Sequence, residues 1–125
     1  MADPDDQWHE RVREWWERQR GELSVPVTAL PEVAFLLQHR LGPDAELDFV
    51  RSVVAEELAI ESLEAEDVAR AAELLADYRD LRLGFVDASI VAMAERLGVR
   101  AIATTDRRHF GVIRPRHVER LRMVP

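Results

Sequence analysis

Residues 81–110 read LRLGFVDASIVAMAERLGVRAIATTDRRHF. A turn at Gly84 opens a helix over about 86–97, and Gly98 ends it by accepting a left-handed backbone conformation. Ile90, Val91, Met93, Ala94 and Leu97 leave that helix little polar surface, so it is predicted to be buried. AIATT, residues 101–105, is a continuous run of small apolar residues of the kind found inside a parallel sheet. An acidic turn follows at Asp106. Two carboxylates, Asp87 at the start of the helix and Asp106 just past the strand, thus fall where apolar sequence predicts burial.

The chain upstream repeats the alternation of helix and short strand. Asp3 and Pro4 open a helix that runs to about Arg20, with Trp8, Val12, Trp15 and Trp16 as its apolar stripe and Gly21 as its stop. LSVPV, residues 23–27, predicts a short buried strand with Pro26 at its end or at a sheet edge. Thr28 reads as the N-cap of a helix to Arg40 that is apolar nearly all round, at Val33, Phe35, Leu36 and Leu37, and so substantially buried. After Gly42 and Pro43 a helix over 44–56 places Leu47, Val50, Val53 and Val54 at helical spacing. Residues 58–63 predict the next strand, and residues 64–80 an amphipathic helix with Val68, Ala72, Leu75 and Ala76 on its apolar face. The last segment, from Val112 onward, predicts a final edge strand with Val118 or Leu121 to Val124 tucked in.

Helices alternating with short buried strands argue for an open parallel sheet covered on both faces, in which ligands gather at the carboxyl ends of the strands. About five helices against three or four strands leave that sheet short by one strand. At 125 residues the chain predicts a single domain spanning residues 1–125, with 47% hydrophobic and 33% charged residues and enough length for one core. There is no cysteine, which excludes disulfide and thiolate chemistry. No apolar run approaches the roughly 18 to 20 residues of a membrane span, and the N-terminus carries no basic-then-apolar leader. A cytoplasmic protein without a membrane partner is the expectation.

Net charge is −7, unevenly spread: residues 1–95 hold nine Arg against 22 acids, and residues 96–125 hold eight Arg against two. Arg100, Arg107, Arg108, Arg114 and Arg116 flank the strand end that carries Asp106. Arginine forks suit phosphate and carboxylate, so the basic tail is readable as an RNA contact, an acidic-partner contact or a solvated surface.

Glu32, Asp87 and Asp106 each start a helix or follow a strand, each has apolar neighbours, and none has an obvious basic partner one turn away. Brought together they would repel one another unless a cation neutralised them. Oxygen-only ligation of that kind suits Mg²⁺ or Mn²⁺, and water activated by such an ion can attack a phosphodiester. Spacing alone leaves open the plainer alternative that Asp87 and Asp106 cap helices and that Glu32 favours a helix dipole. Thr104 and Thr105 are candidates to orient water or phosphate. The four histidines are scattered without metal spacing and are expected to be non-catalytic.

Glu32 in LPEVAFLL, Asp87 in LGFVDASIVAMAERLG and Asp106 in AIATTDRRHF, in that order, resemble the PIN domain, especially the VapC-type toxins of bacterial toxin–antitoxin pairs. DASIVAMAERLGVRAIATTDRRHF is the most specific part of a likeness that runs from about Asp3 to the C-terminus. The resemblance implies a three-layer α/β/α fold and an endoribonuclease dependent on Mg²⁺ or Mn²⁺. It also implies inhibition by a cognate antitoxin, and commonly a homodimer. The matching catalytic and metal-binding acids are Glu32, Asp87 and Asp106, with Arg107 and Arg108 as candidate RNA or antitoxin contacts.

Family members begin with a buried strand bearing a further metal-binding Asp, ahead of the helix that here starts near Pro4. The expectation is therefore a fold truncated at its N-terminus relative to the family, with the first strand missing and no counterpart for that Asp among Asp3, Asp5 and Asp6. Two function classes follow: a metal-dependent endoribonuclease toxin, or a catalytically incomplete module that dimerises or binds an antitoxin. A phosphate-handling enzyme of another doubly wound family would need a Gly-rich phosphate loop, and none is present.

Overall fold

The computed structural model describes residues 23–104 and 107–124, with residues 107 and 108 in backbone only, together with Glu10, Glu14 and Arg18. Those three are helical and exposed, and their spacing of four puts them on one face of a helix. The apolar stripe predicted for that helix lies outside the described residues.

LSVPV supplies β1 (Ser24–Pro26), which pairs in parallel with β2 (Ala59–Glu61), Val25 opposite Ile60. Pro26 closes the strand, where its missing N–H costs little. Between the two strands run α1 (Leu30–Leu41) and α2 (Pro43–Val54), joined by Gly42 at φ 97°, a value glycine tolerates and side-chain-bearing residues rarely adopt. The start of α1 faces the end of α2. There Leu30, Pro31, Ala34, Val50 and Val53 line an apolar cleft of about 230 Å³.

The second half begins with α3 (Ala65–Asp77), followed by a single 3₁₀ turn (Arg79–Leu81) and by α4 (Phe85–Leu97). Gly98, at φ 69°, stops α4 in the left-handed conformation its sequence predicts. β3 (Ala101–Ala103), α5 (Arg107–Val112) and β4 (Arg122–Val124) complete the described chain. β3 and β4 are parallel, Ile102 opposite Met123. The class is mixed α/β with short parallel sheets, as expected, but the strands described form two pairs, β1 with β2 and β3 with β4, rather than one continuous sheet.

Each pair has its own core. Val25, Ala29, Phe49 and Leu58 pack beside β1 and β2. Ala71, Leu74, Ala88, Val91, Phe110 and Ile113 belong to the core between α3, α4 and the C-terminal segment. Ile90, on α4, packs against both. The predicted burial of α4 holds, with Ala88, Ser89, Val91, Ala92, Met93 and Ala94 all buried.

Four readings of the sequence are corrected. Thr28 does not cap α1: Ala29 occupies that position, and the Thr28 hydroxyl lies 2.7 Å from that of Ser89. None of the residues of α1 is buried, and Phe35 is 60% exposed, because α1 packs on α2 and leaves its other flank to solvent. On α2 the buried anchor is Phe49, while Leu47, Val50 and Val54 are exposed. On α3 the inward face is Asp67, Ala71 and Leu74, one position away from the stripe predicted through Val68, Ala72 and Ala76, which are exposed. In addition, α5 occupies a stretch for which only a turn was expected.

Candidate functional site

The site is built from the starts of helices. The loop before α1 is fixed to α4 by hydroxyl pairing: Ser89 Oγ donates to the Val86 carbonyl at 2.6 Å. Its single proton thus committed, it accepts from Thr28. Glu32 stands on the first turn of α1, exposed. Asp87 stands on the first turn of α4, two residues before Ser89. An acid in a first helical turn is stabilised by the positive end of the helix dipole.

α5 closes on the same place. His109 Nδ1 lies 3.3 Å from Asp87 Oδ2, and both side chains are 26% exposed. An ionised carboxylate only accepts hydrogen bonds, so Nδ1–H is the donor. The contact is held from both sides, because the residues that follow its members in sequence, Ala88 and Phe110, are buried in one core cluster. Thr104 is half-buried just past β3, its N–H donating to the Val124 carbonyl at 3.0 Å. Thr105 and Asp106, and the side chains of Arg107 and Arg108, lie outside the described residues.

Of the acids singled out from the sequence, then, Asp87 and Glu32 lie on the first turns of two helices tied together through Thr28 and Ser89. Among the described residues no group of three Asp, Glu or His side chains could hold a metal ion. The donor chemistry on offer is hard carboxylate oxygen, the type that Mg²⁺ and Mn²⁺ accept. The contact of His109 with Asp87 was not foreseen, because four scattered histidines carry no metal-ligand spacing. The signal in the sequence was the position of His109 one helical turn after Asp106 and directly before the apolar Phe110.

Two ion-pair systems hold the back of α4. Asp67, 1% exposed, accepts from Arg96 Nε at 2.9 Å and from the Glu64 N–H at 2.8 Å. Burial works to raise its pKa, yet the Arg96 hydrogen bond, the Glu64 N–H and the Arg96 charge together hold it below the usual carboxylate range. Glu95 takes both prongs of Arg70, at 2.8 and 3.0 Å, and the Arg116 N–H at 2.8 Å. It too lies below its usual range, burial being outweighed by Arg70 and Arg116. The Arg116 guanidinium pairs with Glu73 at 2.7 Å, so part of the basic tail is already matched inside the chain. Arg100 and Arg114 are exposed.

The described chain is thus mixed α/β, with short parallel strands and with Glu32 and Asp87 on helix starts. Residues 5–114 match the PIN domain family, and the chain belongs to it. It is 33% identical over 124 residues to Ribonuclease VapC26 of Mycobacterium tuberculosis (strain ATCC 25618 / H37Rv), a match covering 99% of this chain and 90% of that protein. The fold is similar to the crystal structure of Mycobacterium tuberculosis VapC20, a sarcin-ricin loop cleaving toxin, with a TM-score of 0.68 and 21% identity over 80% of this chain and 77% of that one. It is also similar to DNA-bound VapBC from Salmonella typhimurium, with a TM-score of 0.63 and 18% identity over 92% and 83% of the two chains. These two structures speak for the fold, and the sequence match carries the kinship to VapC proteins. No helix among the described residues is long and apolar enough to cross a membrane.

Proposed function

We propose that this chain is an endoribonuclease, the toxin of a toxin–antitoxin pair, acting with Mg²⁺ or Mn²⁺ held by Glu32, Asp87 and Asp106. The observation that carries the reading is Asp87. It sits in the first turn of the buried helix α4, in contact with the helix that follows Asp106, and in a chain 33% identical to a ribonuclease over nearly its whole length. The ion, when bound, would activate water and offset the charge that develops on the phosphate. The chain's own part is to hold Glu32 and Asp87 on helix starts and Thr104 just past β3. Exposed arginines such as Arg100 and Arg114 support backbone contacts to RNA.

A partner chain is supported by the apolar surface left on α1 and α2, where Phe35, Leu36, Leu47, Val50 and Val54 are exposed beside the apolar cleft. Residues 30–57 carry six acids against two Arg, a rim that favours a basic antitoxin segment over RNA or an identical acidic face. A homodimer, as the resemblance implies, would then use another surface. The proposed setting is the cytoplasm.

Asp87→Asn keeps the shape of the side chain and removes its charge. It is expected to abolish Mn²⁺-dependent cleavage of RNA while circular dichroism and thermal melting stay as in the parent. Cleavage by the variant at the parent's rate would overturn the assignment. Antitoxin binding by the parent chain with neither cleavage nor Mn²⁺ affinity would identify the chain as a binding module instead.

A further inference from the structure

We infer that His109 is the positioning residue for Asp87: its Nδ1–H fixes the orientation of the carboxylate that the proposed function assigns to the metal. The inference rests on that assignment and adds a residue to it. A carboxylate on the first turn of a helix can rotate about its last side-chain bond, and each orientation presents different lone pairs to a cation. A hydrogen bond to Oδ2 restricts that rotation and so helps decide which lone pairs the carboxylate presents. Partners that orient a metal-binding group in this way typically change metal affinity or activity by 10- to 100-fold when they are removed.

Three features of the fold make His109 suited to the task. Its contact to Asp87 Oδ2, at 3.3 Å, links α5 to α4 across 22 residues of sequence. Phe110, the next residue, is buried against the same cluster as Ala88 and Val91 of α4, so the ring is carried on an anchored helix and not on a free loop. Ile113 extends that anchor into the same core, and its N–H donates to the His109 carbonyl at 3.2 Å. Phe110 and Ile113 thus fix the backbone from which the His109 ring reaches Asp87.

The test compares His109→Ala with His109→Asn, whose side-chain amide places an N–H near the position of Nδ1. Mn²⁺ binding to the metal-free protein is followed by the electron paramagnetic resonance of the unbound ion, with thermal melting as the check on folding. His109→Ala is expected to weaken Mn²⁺ binding about tenfold, and His109→Asn to retain most of it. Equal affinity for the parent and His109→Ala would overturn the inference while leaving the metal reading intact, and so would a loss in His109→Asn as large as in His109→Ala. A parent chain that binds no Mn²⁺ would overturn both. Histidine-selective ¹⁵N spectra of the parent give a metal-free readout: neutral His109 is expected to carry its proton on Nδ1, and a proton on Nε2 would rule out the contact on which the inference stands.

Discussion

At Asp67 a carboxylate is almost fully withdrawn from water and still charged, because Arg96 and the Glu64 N–H replace what burial takes away. Its pKa and that of Glu95 lie below the range of the unfolded chain. As pH falls, the unfolded chain takes up protons first, so the stability these acids contribute is present above about pH 4 and is lost as the pH drops through their folded values. Urea midpoints measured from neutral pH downward are expected to hold until about pH 4 and then fall, and to fall less steeply in Asp67→Asn. The same slope in both proteins would mean that Asp67 plays no part. Asp67→Ala, which also strips the acceptor for the Glu64 N–H, is expected to cost about 2 kcal/mol at neutral pH. Asp67 had no place in the sequence reading of α3, since an apolar-stripe search discards acids. That omission is what shifted the predicted face by one position. Asp87 was legible as the first-turn acid of a buried helix, whereas its contact with His109 depends on tertiary packing between segments 22 residues apart.

Elements were easiest to read where the sequence states both the periodicity and the stop. α4 has an apolar run closed by Gly98, and its span, burial and left-handed end all agree with the structure. α5 has six residues, RRHFGV, too few for a 3.6-residue period to show itself. α1 and α2 have clear periods, yet which side faces inward was not decided by them, because apolar residues occupy both sides. Phe49 is 8% exposed and Val54 78% exposed, the reverse of a reading that put Val54 on the inner face and passed over Phe49. Chemical denaturation separates the two assignments. Phe49→Ala is expected to cost about 3 kcal/mol through lost packing, and Val54→Ala to stay within about 0.5 kcal/mol of the parent. Comparable losses in the two variants would restore the face predicted from sequence.

For the whole molecule, the parallel pairing of strands was foreseen from their apolar character, but the split into β1 with β2 and β3 with β4 was not, since strand order is set by contacts that periodicity does not encode. The two pairs carry separate cores, and among the described residues the side chain packed against both is Ile90 of α4. The hydroxyl contact between Thr28 and Ser89 spans the same boundary. Among the described residues these contacts of α4 link the β1–β2 half to the α3–α4 half, and the proposed site uses that link, since Glu32 belongs to the first half and Asp87 to the second. Ile90→Ala thins the shared contact without entering either core. It is expected to destabilise the chain by about 2 kcal/mol and to let the halves open separately. In native-state hydrogen exchange of this variant, the amides of α1, α2 and β2 should lose protection at lower free energy than those of α3 and α4, where the parent opens as one unit. Uniform loss across all these elements in the variant would show that the halves are coupled through other contacts. Cleavage should then decline in proportion to global stability rather than to the opening of α1.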